Sequence, residues 1–191
     1  MFKCLMSVLF VLIFVLGVNC QALEGSATSQ PRIQGIISPQ SHFEIVIPGF
    51  TGVKGTIREF EGTANFNPSD ITETEYTVKL DMQSIDAGVK SPFMKSKLFL
   101  DASQYQYASF TATHNVAIDK YSIHMYGDLT LKGVTRPIVF TTIVDPSSLE
   151  GEIRHTSTAE IDRRDWGIDA FSSVISNTIK ITLHGVITPK S

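Results

Sequence analysis

Four stretches of this chain alternate apolar and polar residues with a period of two, and that alternation is its tightest constraint. Phe43, Ile45 and Ile47 alternate with Glu44 and Val46. Phe60, Gly62, Ala64 and Phe66 alternate with Glu61, Thr63 and Asn65. Thr74, Tyr76, Val78, Leu80 and Met82 alternate with Glu75, Thr77, Lys79 and Asp81. Ile179, Ile181, Leu183 and Ile187 alternate with Lys180, Thr182 and His184. Successive side chains of a strand point to opposite faces, so each run has one dry and one wet face. Turn residues fall between the runs: Pro48-Gly49, Asn67-Pro68-Ser69-Asp70 and Lys132-Gly133. Many short one-faced strands at this spacing make an all-β sandwich or barrel.

One hairpin can be registered from the sequence. With Asp119-Lys120 as a two-residue loop, Ile118 faces Tyr121, Val116 faces Ile123, His114 faces Met125, Ala112 faces Gly127 and Phe110 faces Leu129. The dry faces then match, which places His114 on the inner face and His124 on the outer one. A single short helix is expected near residues 92–99. Ser91-Pro92 starts it, and Phe93, Met94, Leu98 and Phe99 make one apolar stripe, suited to a plug or a lid.

The first residues read as a targeting segment. Lys3 precedes an apolar run from Leu5 to Val18, too short to span a bilayer, and Asn19 follows it. A buried core helix is the competing reading, and Lys3 with the polar flank favours export. Residues 1–22 are therefore expected to be a signal peptide, 23–38 a flexible linker and 39–191 one domain. Both cysteines, Cys4 and Cys20, lie in or beside the leader, so cleavage leaves no thiol chemistry. Cys20 also leaves lipoprotein anchoring open, against which Asn19 is an unusual residue in that place. The expected location is the periplasm.

The net charge of −3 becomes one unit more negative when Lys3 is removed with the leader. No basic stripe exists, so nucleic acid is excluded as a partner, and the mature chain carries no integral membrane span. Homodimerisation is left open. Five histidines, His42, His114, His124, His155 and His184, form no metal-ligand spacing. Asp162-Arg163-Arg164-Asp165-Trp166-Gly167 reads as an ion-pair and turn element with Trp166 at the rim. Its two carboxylates cannot share one strand face, so acid–base work is disfavoured. No nucleophile elbow, phosphate loop or cofactor motif is present, and no cofactor is expected. A cryptic hydrolase would have to rest on Asp162, Asp165 and His114.

Several segments resemble the YceI-like family. They are Val53-Lys54-Gly55-Thr56-Ile57-Arg58-Glu59-Phe60-Glu61-Gly62, Ser84-Ile85-Asp86-Ala87-Gly88 and Tyr107-Ala108-Ser109-Phe110-Thr111. Gly127-Asp128-Leu129-Thr130-Leu131-Lys132-Gly133-Val134-Thr135-Arg136-Pro137 and Ile161-Asp162-Arg163-Arg164-Asp165-Trp166-Gly167 complete the set. They follow the family's order over about Ser38 to Lys190. The resemblance implies a lipocalin-like, extended antiparallel up-and-down β-barrel of about eight strands. It also implies an exported protein that binds a polyisoprenoid, an isoprenoid quinone or a similar lipid in an apolar tunnel. The segment after Gly88 departs from the family pattern. Lys90, Lys95 and Lys97 stand where acidic and histidine residues are usual, which suits an acidic head group.

The expected ligand contacts are Phe60, Phe66, Tyr76, Val78, Leu80, Phe110, His114, Met125, Leu129, Ile181 and Leu183, with Phe93, Met94 and Phe99 covering one end. The role expected is non-catalytic transport, storage or sensing. The alternative is a packed barrel that acts as a protein-interaction module.

Overall fold

A computed structural model describes residues 32–49, 52–149 and 151–190. The expected signal peptide and most of the expected linker lie outside the described residues. Ten strands form one sheet: β1 (Ile33–Ile37), β2 (His42–Ile47), β3 (Val53–Ile57), β4 (Phe60–Phe66), β5 (Glu75–Asp81), β6 (Tyr107–Ala117), β7 (Ser122–Leu131), β8 (Val134–Val144), β9 (Ile153–Asp162) and β10 (Thr178–Pro189).

All neighbours are antiparallel, and the ten strands make eight staves. β1 and β2 run along β10 as one broken stave, with Ile37 opposite Ile187 and His42 opposite His184. β3 and β4 form the next, with Ile57 opposite Phe43 and Phe66 opposite Ile33. β4 through β10 then pair in chain order, and β10 returns to β1 and β2. The result is a closed up-and-down barrel in which consecutive staves are neighbours.

A serine hydroxyl satisfies the backbone at each stave break. Ser41 Oγ accepts from Val186 N at 3.0 Å and donates to Val186 O at 3.3 Å. Ser84 Oγ accepts from the amides of Arg58 and Glu59 at 3.2 and 2.9 Å. At the Ser41 break these bonds are buried, and without them the kink would leave Val186 peptide groups unpaired.

The two ends of the barrel differ. One is covered by residues 82–106, including helix α1 (Ser91–Lys95), and by residues 163–177. This is the lid end. The other, the floor, is crossed by a 3-10 turn at Ile71–Glu73. Asn115 Nδ2 pins that turn, donating to the carbonyls of Thr72 and Thr74 at 2.9 and 2.7 Å.

Three sequence expectations need correction. The segment expected to be linker as far as residue 38 contains β1, and Gly35 lets the chain approach β10 closely. A Cβ there would sit 2.4 Å from Ile187 Cγ2. The helix is shorter than 92–99. Ser91 is its first residue, and Ser96, with extended backbone, ends it. The β6–β7 hairpin pairs Phe110 with Leu129 and Ala112 with Gly127 as expected, but a bulge then moves the register by one. His114 faces Tyr126 and not Met125, and the loop covers residues 118–121. No helix among the described residues is long and apolar enough to cross a membrane.

Candidate ligand-binding cavity

Inward-facing positions of all the staves meet in a cavity of about 70 Å³ towards the lid end. β5 contributes Tyr76, Val78 and Leu80, β6 Phe110, β7 Met125 and Leu129, and β10 Ile181 and Leu183. Met94 and Phe99 close it from the lid segment and are essentially inaccessible to solvent. These ten expected residues are brought together.

Four others are not. Phe60 lies just outside, its ring 4.7 Å from that of Phe43. Phe66 is on the correct face but at the floor, where it lines a second cavity. Phe93 packs above Phe99 and against Phe171, at 5.4 and 5.8 Å. His114 is exposed, its ring stacked 4.4 Å from that of Tyr126, because the bulge turns it outward.

Phe43, Ile45, Ile57, Met82, Leu100, Ala108, Leu131, Phe140, Ser157, Ile161 and Ile179 also line the cavity. Strand parity would have found most of them. Ile179 belongs to the same alternating run as the expected Ile181 and Leu183, and Phe43 and Ile45 lie on the apolar side of an alternating run of their own. Met82 was expected to extend β5, but it starts a 3-10 turn that folds its side chain over the lid end.

The floor cavity measures about 20 Å³, and Tyr76 and Met125 line both chambers. Its walls are Phe66, Ile123, Val144, Ile153 and Ile187, with Thr74, Thr142 and His155 among them. His155 Nδ1 lies 3.1 Å from Ser157 Oγ, which in turn lies 2.7 Å from Thr142 Oγ1. The Tyr76 ring meets His155 edge-on at 5.6 Å. Burial lowers the His155 pKa to about 4 and pushes that of the Tyr76 phenol up. Both are therefore uncharged at neutral pH.

The charged segment after β9 builds the lid. Asp162 accepts from Arg164 N at 3.0 Å and forks with the Arg164 guanidinium at 2.5 to 3.1 Å. The hydrogen bonds from the Arg164 side chain and amide lower the Asp162 pKa to about 2. Trp166 is buried at the rim, donating Nε1–H to Leu129 O at 3.3 Å. Neither Asp162 nor Asp165 lines the cavity. Among the described residues, no group of three or more histidine, cysteine or carboxylate side chains is arranged to hold a metal ion.

Comparison with known proteins agrees with this architecture. The barrel of BcnA from Burkholderia cenocepacia superposes with a TM-score of 0.74 at 18% identity, covering 80% of this chain and 99% of that one. A polyisoprenoid binding domain from Saccharophagus degradans superposes at 0.64 and 17% identity, covering 83% and 99%. A UPF0312 protein of Vibrio cholerae is 27% identical over 150 residues, which is 75% of this chain and 78% of that protein. The YceI-like domain profile matches residues 36–187, the span of the closed barrel. By that match, and by the barrel that carries it, the chain belongs to the YceI-like domain family.

Proposed function

We propose that this protein is a non-catalytic carrier that holds one long apolar chain, of polyisoprenoid type, inside its barrel. The observation that carries the reading is the cavity wall, in which Ser157 and Tyr76 are the polar residues among some twenty apolar ones. The polyisoprenoid binding domain of Saccharophagus degradans, a structural neighbour, supports the ligand class. Each methylene buried contributes roughly 0.8 kcal/mol. Ten to fifteen carbons would give roughly 8–12 kcal/mol before ordering costs, enough for micromolar binding or better.

A cavity of about 70 Å³ is smaller than ligand sites usually are. The ligand must therefore push side chains aside, and Met82, Met94 and Met125 are unbranched and adaptable enough to move. The same small volume favours a second reading, a packed barrel that acts through its surface. Uptake of a tritiated polyprenol through gel filtration separates the two. Co-elution near one prenol per barrel supports the carrier, and protein free of label supports the packed module.

Export belongs to the same proposal, from Lys3 and the apolar run that follows. Expressed as the full chain in a bacterial host, the protein should appear in the periplasm with an N-terminus after Cys20 or Ala22. A lipid-modified Cys20, seen by mass, would replace release with anchoring.

A further inference from the structure

We propose that the floor cavity is a subsite for one uncharged oxygen, a hydroxyl or carbonyl, at the leading end of the apolar ligand. The inference rests on the carrier reading and adds a polar group to its ligand. Among the described residues, five buried side-chain polar atoms have no hydrogen-bond partner. Three of them, Thr74 Oγ1, Tyr76 Oη and His155 Nε2, belong to residues that line this one cavity. A fourth, Asn115 Oδ1, sits on the amide that holds the Thr74 carbonyl. Buried polar groups are almost always paired, so orphans gathered at one place indicate a missing partner.

The chemistry of the partner follows from the groups present. Thr74 and Tyr76 can each donate and accept, and His155 Nε2 can do either according to its tautomer. No lysine, arginine or carboxylate lines the cavity, so a buried anion or cation there would go uncompensated. Burial keeps His155 neutral and Tyr76 protonated, which removes the remaining sources of charge. The space of about 20 Å³ suits a single oxygen. It is also enough for one water molecule, which is the rival occupant. Tyr76 and Met125 form the wall common to both chambers, so displacing these two side chains would open the floor to a chain in the main cavity.

The test compares four ligands of one carbon skeleton: geranylgeraniol, geranylgeranial, the unsubstituted hydrocarbon and geranylgeranoic acid. The unaltered protein is expected to bind the alcohol and the aldehyde about tenfold more tightly than the hydrocarbon. That is the factor supplied by one hydrogen bond of ordinary net strength. The ionised acid is expected to bind most weakly. Thr74→Val with Tyr76→Phe should abolish the preference, so that the variant binds alcohol, aldehyde and hydrocarbon with one affinity. The aldehyde carbonyl stretch should move to lower wavenumber in the unaltered protein and not in the double variant. The ligand comparison on the unaltered protein stands even where the variants fold poorly. Equal affinity of the unaltered protein for alcohol, aldehyde and hydrocarbon would overturn the subsite, leaving a water-filled floor inside a working carrier. Failure of all four to bind would remove the carrier reading and this inference with it.

Discussion

Arg163 has no exposed surface, and none of its hydrogen-bond partners is a carboxylate. Its Nε donates to Ser176 O at 3.0 Å, its other nitrogens donate to the carbonyls of Ile168 and Ile175 and to Ser172 Oγ, and its guanidinium lies over the Phe99 ring. One side chain thus ties residues 168–176 into a unit resting on a cavity residue. Arg163→Met should lower stability by about 3 kcal/mol in urea unfolding, because one buried and two half-buried carbonyls lose their donor. Arg163→Lys should recover little, since an ammonium cannot reproduce the planar fork. His155 gives a pH signature. Its folded pKa, about 4, lies below the ordinary 6.5, so the unfolded state takes up the proton first. Its contribution is complete above pH 6.5 and is lost as pH falls from there towards 4, reaching on the order of 3 kcal/mol. Urea midpoints of the protein should fall between pH 7 and 5, and His155→Gln should flatten that fall. The sequence alone marked Tyr76, Met125 and Leu129 as facing inward, since parity along a strand is enough for that. It placed His114 inside because one extra residue at the Ala112–His114 bulge reverses parity and leaves no mark in the alternation. It placed Phe66 with the others because parity sets a side chain's face and not its height in the barrel.

At the level of elements, the β7–β8 turn shows how local chemistry sets the hairpin. Lys132 and Gly133 both have positive φ, 50° and 76°, as a two-residue turn between right-twisted strands requires. Lys132 Nζ reaches the carbonyls of Lys97 and Gly167 at 3.5 and 3.3 Å, so this turn also links the two lid segments. Gly133→Val should cost about 1–3 kcal/mol through backbone strain. Its Cβ would also meet the Tyr105 ring at 2.6 Å. A fall in thermal midpoint with the barrel's circular dichroism retained is the expected result. The Lys-Gly turn was legible because Gly133 sits between two apolar runs. β1 was not, since five residues with a central glycine and a glutamine do not alternate, and only pairing with β10 and β4 makes them a strand. The helix was read too long because Leu98 and Phe99 keep the helical spacing. Ser96 breaks the backbone there, and its Oγ bonds the Phe93 carbonyl at 2.7 Å.

For the whole molecule, closure and emptiness matter together. Closure of the eight staves pairs most of the strand edges, so the barrel can keep an apolar interior without pairing to another chain. A packed core would fill that interior, yet about 70 Å³ stays open behind a lid of Met82, Met94, Phe99 and Leu100. The barrel class was legible in the alternation and the family motifs, whereas the cavity's size is a sum over many side chains that no local pattern contains. Filling the space separates stability from binding. Ala108→Leu should keep the fold and gain about 1 kcal/mol from added burial, while losing ligand. The most direct measurement is native mass spectrometry of the barrel offered prenols of graded length, beside Ala108→Leu. The expected spectrum shows one prenol per barrel, up to a limiting length, and none on the filled variant. An apo mass for the unaltered protein at every length, or equal binding by Ala108→Leu, would contradict an interior carrier.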